Sequence, residues 1–117
     1  MNKVIRIDRE NGPDFVFDGE LIAEVFDPKT SMAVFKTSSR LEKNLFVCVL
    51  QKYEDERRAE VVRSHENIIT FFGMSILSKK LYEKIGINKD YYIIDFTKWI
   101  YKKIIEDMEE LEWKNMT

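Results

Sequence analysis

The chain has little of what most often announces chemistry. Among 117 residues there is one cysteine, Cys48, and one histidine, His65. One cysteine excludes an internal disulfide, and the two residues together cannot build a structural zinc site. A mixed His–carboxylate site finds no supporting spacing, so neither metal nor cofactor is expected. Four glycines stand singly, which excludes a glycine-rich phosphate loop. No serine sits in the setting of a nucleophile elbow. Charge of one sign is also lacking: nineteen basic residues nearly cancel twenty-one acidic ones, for a net charge of -2. That balance gives no general drive toward nucleic acid and is far from the extreme negativity of a DNA mimic. No apolar run approaches the ~18 residues of a spanning helix, and no charged-then-apolar leader opens the sequence. A soluble, cytoplasmic chain is the expectation.

What is present describes a globular domain. Apolar residues make up 44% and aromatic residues 13%, well away from the signature of disorder. The length suits one domain, residues 1–117, with a core of its own. The first half reads as strands, over residues 3–63. "KVIRID" is a short β-branched run stopped by "RENGPD" with its Asn-Gly-Pro turn chemistry. "DFVFDGELIAEVF" alternates with period two. That alternation places Phe15, Phe17, Leu21, Ala23 and Val25 on one face and Asp18, Glu20 and Glu24 on the other, with a bulge or bend expected at Gly19. "MAVFKT" and "LFVCVLQKY" have the spacing of an antiparallel hairpin. The second of these is apolar on both faces, as in a central strand covered on both sides. Cys48 lies within it, where a free thiol behaves as a small buried hydrophobe. "AEVVRS" completes a meander of four or five strands, since no helix-length connection separates them.

The second half reads as helices over 65–72, 76–85 and 96–112. Ser64 stands where an N-cap belongs, and Glu66 in the first turn favours the helix dipole. Ser64-His65-Glu66 is therefore the start of a helix rather than a catalytic trace. Ser75 caps the second helix, and Gly86-Ile87 has the form of a glycine C-cap with its apolar contact. "NKDYYII" reads as an edge strand or extended crossover. Asp95 would cap the last helix, whose Phe96, Trp99, Ile100, Ile104, Met108 and Leu111 are expected to face the sheet. The fold class is thus α+β: a mainly antiparallel sheet of four to five strands, followed by two to three helices packed on one face.

Charge distribution says more than charge total. From Asp8 to Asp27 the local balance is -6, and from Lys29 to Lys43 it is +3. In the last helix Lys98, Lys102 and Lys103 precede Glu106, Asp107, Glu109, Glu110 and Glu112. That order opposes the helix dipole and gives the weaker orientation of i,i+4 pairs. Stability alone does not select it. That order reads either as the solvated tail of a helix or as an acidic patch presented to a basic partner surface. The second reading makes Asp18, Glu20, Glu24, Glu106, Glu109 and Glu110, with Lys36, Arg40 and Lys43, the candidate partner-binding residues.

Two stretches, "DGELIAEV" with "VFKTSSRLEKNLFVCVL" and "AEVVRSHENIITFF" leading into "KKLYEKIG", resemble the bacterial EXLDI family of small proteins of unknown function. The resemblance covers residues 20–86 and implies a meander followed by helices. It supplies no catalytic residues, and the string nearest the family's signature, "YYIIDF", departs from it.

The expected function is that of a small non-enzymatic protein-binding accessory protein, an inhibitor or adaptor. Richness in Lys, Ile, Glu and Asn suits a bacterial, phage or mobile-element gene, where an anti-defence role of the anti-CRISPR kind would fit. Two alternatives come from other classes. One is a small enzyme using Glu20 or Glu24 with His65 or Tyr92 in a cleft beside the sheet. The other is a nucleic-acid-binding module built on Lys29, Lys36, Arg40 and Lys43, with Arg57 and Arg58 nearby.

Overall fold

Runs of β-branched and aromatic residues, each ended by turn chemistry, form five strands: β1 (Lys3–Ile7), β2 (Phe15–Phe26), β3 (Thr30–Thr37), β4 (Phe46–Lys52) and β5 (Arg57–Val62). They make one sheet in sequence order, and every neighbouring pair is antiparallel. Helices α1 (His65–Phe72), α2 (Ile76–Ile85) and α3 (Ile93–Met116) follow, with a short 3-10 turn at Lys89–Tyr91 before the last. The structure is a computed structural model. It describes residues 3–38, 45–53 and 57–116, the side chains of residues 112–116 excepted. The architecture is the α+β meander-then-helices read from the sequence. The chain divides into two compact units, Met1–Ile87 and Asn88–Thr117.

In the first unit the sheet buries both faces. On one face Ala23, Val25, Met32, Val34, Phe46, Cys48 and Val62 are buried, and α1 and α2 lie against β4 and β5 and against β2 and β3. Those helices contribute Ile68, Phe72, Leu81 and Tyr82 to the interior. The other face holds a cluster of Ile7, Val47, Val49 and Ala59, with Phe15, Phe17 and Phe35 packed against it. No helix is needed there because the sheet curls. The turn between β1 and β2 reaches β5, where Glu10 N–H donates to Arg57 O at 2.9 Å. The Asn11 side-chain amide meets the backbone of Ala59 on both sides, donating to its carbonyl and accepting from its N–H, each at 3.2 Å. Arg9 adds a bond to Ala59 O at 3.0 Å and lies over the Phe15 ring, 3.9 Å from its centroid. Asn11 thus stands in for one peptide of a sixth strand and closes the β5 edge. β4, apolar on both faces, lies between β3 and β5 and is buried on both sides, as its sequence implies.

The alternation of β2 breaks at one residue. Leu21 pairs with Phe35 and Ala23 with Val34, leaving Ile22 as an extra residue in a bulge. Side chains after Ile22 therefore fall on the face opposite to that given by unbroken alternation. Phe15 and Phe17 belong to the curled face, while Ala23 and Val25 belong to the helix-covered face. The expected single row of Phe15, Phe17, Leu21, Ala23 and Val25 is split. Gly19 has a related role: a Cβ placed there would collide with the backbone carbonyl of Lys36. The close approach at the start of the β2–β3 pairing requires glycine.

Local signals at the helix ends stand as read. Ser64 Oγ accepts from Asn67 N–H at 3.1 Å. Ser75 Oγ accepts from Ser78 N–H at 3.0 Å, while Ser78 Oγ accepts from Ser75 N–H at 2.8 Å, a capping box with serine in place of the usual glutamate. Gly86 is left-handed at φ 83, and Ile87 N–H closes back on Tyr82 O at 3.0 Å.

The second unit departs from the sequence expectation in three ways. Residues 89–91 form a 3-10 turn rather than a strand. α3 begins at Ile93, so Asp95 lies in its first turn instead of capping it, and the helix continues to Met116. Most telling, Ile104, Met108 and Leu111 are 52%, 57% and 61% exposed, so they are not the core face the spacing suggested. Phe96 and Trp99 are half-buried, their rings stacked at 5.7 Å between centroids. Periodicity established that α3 has an apolar face, but it could not say that the face is left open.

Candidate protein-binding surface

The bulge at Ile22 decides the fate of the acidic row on β2. Asp18 and Glu20 precede it and share a face; Glu24 follows it and points to the other side of the sheet. All three are exposed. Glu20 lies directly opposite Lys36 on β3, an arrangement in which each offsets the other's charge. The three carboxylates therefore form no common acidic patch. Glu24 instead borders a shallow groove of ≈470 Å³ between β2 and α2, with Phe26, Leu77, Lys80 and Lys84. Lys84 Nζ donates to the Glu24 carbonyl there at 3.1 Å.

The catalytic constellation does not form around that groove. Neither Glu20, His65 nor Tyr92 lines it. His65 is half-buried on α1, its ring 5.7 Å from that of Phe46 at a tilt of 48°. Tyr92 is buried. Glu20 and Glu24 themselves lie on opposite faces of the sheet. Among the described residues, no three His, Cys, Asp or Glu side chains gather as a metal site. The thiol of Cys48 is shielded: burial, followed by the charge of Glu60 opposite it on β5, pushes its pKa up from 9.0 to about 12. Burial likewise raises the pKa of Tyr82, whose hydroxyl donates to Gly73 O.

Of Lys29, Lys36, Arg40 and Lys43, only the first two can be placed. Arg40 and Lys43 lie outside the described residues. Lys29 sits beside the Asp27 turn and Lys36 near the far end of β3, about 23 Å away at the rise of a strand. Arg57 is partly engaged by Asp8 at 3.8 Å, and Arg58 is exposed.

A further open feature lies on α3. Ile94, Tyr101, Ile104, Met108 and Leu111 are all more than half exposed, and Ile105 is 40% exposed beside them. A concavity of ≈550 Å³ runs along the flank of this face, past Lys98, Tyr101, Lys102, Ile105, Glu106 and Glu109. Base gives way to acid along that one flank, and Glu110 is exposed on the same helix. Scattered apolar side chains on a surface are ordinary, but a contiguous line of them along five helical turns marks a contact surface. Sequence reading found the acids and the charge order but assigned the apolar line to the core. Its missed members are Ile94, Tyr101 and Ile105, and the signal that could have found them is their spacing. Among the described residues, no helix is long and apolar enough to cross a membrane. No protein-family model matches the chain, and comparison with curated proteins and with solved structures finds none that matches.

Proposed function

We propose that this protein is a non-enzymatic binding protein, an inhibitor or adaptor that acts on another protein through α3. One observation carries the reading: a helix that leaves a continuous apolar face open, flanked by lysines in its first half and acids in its second. Apolar surface of this extent is costly in water unless something covers it, and the charged flank adds orientation and selectivity. The dispersed acids and imidazole offer no competing constellation. Glu20 stands across the strands from Lys36, which sets negative charge within the basic set and disfavours the phosphate-binding alternative. The cytoplasm is the proposed place of action.

The test is affinity purification of the tagged chain from its native host, read by mass spectrometry. The control is the variant Ile104→Glu combined with Leu111→Glu. A stoichiometric protein companion that the variant loses is the expected outcome, an untagged copy of the chain counting as a companion. Equal recovery by both proteins, or a bound metabolite with no protein, would overturn the reading.

A further inference from the structure

We infer that the partner seated on α3 is a second copy of this chain, packed antiparallel. The inference rests on the binding role just proposed and names its partner. Ile94, Thr97, Tyr101, Ile104, Met108 and Leu111 recur at alternating intervals of three and four residues. That is the a/d repeat of a helix pair, in which each side chain enters a gap between four residues of the facing helix. All six are exposed, so the seam is available over about 26 Å of helix.

The charges select both the occupant and its direction. Lys98 and Lys102 lie on one flank of the seam, and Glu106 and Glu109 continue that flank toward the C-terminus. A parallel pair would set Lys102 of each copy beside Lys103 of the other and Glu109 beside Glu110, which is repulsive. An antiparallel pair with its twofold axis near Ile105 sets Lys102 of each copy beside Glu109 of the other. The same register, within half a residue, layers Tyr101 on Leu111 and Ile104 on Met108 and brings the two Ile105 side chains close to the axis. The paired segment is therefore residues 101–111, with Ile94 and Thr97 beyond it. The register also gives a use to the order of charge along the helix, since base before acid in one copy runs beside acid before base in the other. A second copy therefore supplies apolar partners for Tyr101, Ile104, Met108 and Leu111 and an acidic partner for Lys102.

The experiment is sedimentation equilibrium of the purified full-length chain across a roughly hundredfold range of concentration, so that mass action exposes association. A monomer–dimer equilibrium is expected. Ile104→Glu with Leu111→Glu should give a monomer at every concentration that still unfolds in a cooperative transition, since both positions are exposed. Lys102→Glu should weaken the dimer about tenfold by turning two symmetry-related pairs repulsive. Adding Glu109→Lys to the same chain should restore it. A wild-type chain that stays monomeric throughout, or a dimer indifferent to the seam variant, overturns the second-copy inference. Failure of the charge swap to restore association overturns the antiparallel arrangement. A monomeric purified chain that still captures an α3-dependent companion of different sequence in the host would sink this inference alone. Loss of both results would sink the binding role with it.

Discussion

Two residues that look unremarkable in the sequence hold much of the sheet's closure and chemistry. Asn11 belongs to an Asn-Gly-Pro turn, where its usual task is local, yet its amide is spent on Ala59, forty-eight positions away. Ala59 is fully buried, so Asn11→Ala would leave its N–H without the acceptor it has now. A cost of about 1–3 kcal/mol is expected from chemical denaturation, with the slope of the transition unchanged. A change below a few tenths would show that water replaces the amide. Cys48 makes a prediction of a different kind. Its folded pKa is raised to about 12 from 9.0, so between those values the unfolded chain has released a proton that the folded chain still holds. Stability from this group is complete below pH 9 and falls as pH rises through the window. Cys48→Ala should therefore flatten part of the alkaline loss of stability, leaving the share due to Tyr82. Thiolate absorbance of the native protein measures the same quantity directly; titration near 9 would contradict the burial argument.

At the scale of the element, what the sequence revealed depended on whether the governing interaction was local. The strands β1, β3 and β4, the serine caps of α1 and α2 and the Gly86 stop all follow from residues within a few positions of one another, and each could be read directly. β2 could be recognised as a strand but not divided correctly between faces. An extra residue at Ile22 leaves the apolar–polar pattern nearly intact in the string while reversing its meaning in space. The candidate acidic row failed for this reason, since Glu24 was placed with Asp18 and Glu20 by counting in twos. The curl of the sheet was equally hidden, because it depends on a turn bonding to a strand some fifty residues later. α3 shows the converse: its period was legible, but period alone does not distinguish a face turned to a sheet from one turned to another helix. Exposure shows only that Ile104, Met108 and Leu111 are uncovered; that another helix covers them is the inference proposed from their three-four spacing.

At the scale of the whole molecule, the two units differ in how much of their apolar surface they bury, and the consequence can be measured. Met1–Ile87 contains the sheet, both of its buried faces and the two short helices, so its backbone bonds lie inside a core that the chain supplies itself. Asn88–Thr117 is largely one long helix with an open apolar seam. An isolated helix of such length gains most of its stability from burying its apolar face. If a second copy provides that burial, protection of α3 depends on how much of the second copy is present, while protection of the sheet does not. Native-state hydrogen exchange resolves this segment by segment. Amides of β2, β3 and β4 should exchange at rates independent of protein concentration. Those of α3 from about Thr97 to Leu111 should exchange faster on dilution, and the Ile104→Glu, Leu111→Glu variant should exchange at the fast rate at every concentration. Concentration dependence shared equally by sheet and helix would mean that the copies meet through the first unit. Slow exchange along α3 that persists unchanged on dilution would mean that the seam is already satisfied within one chain.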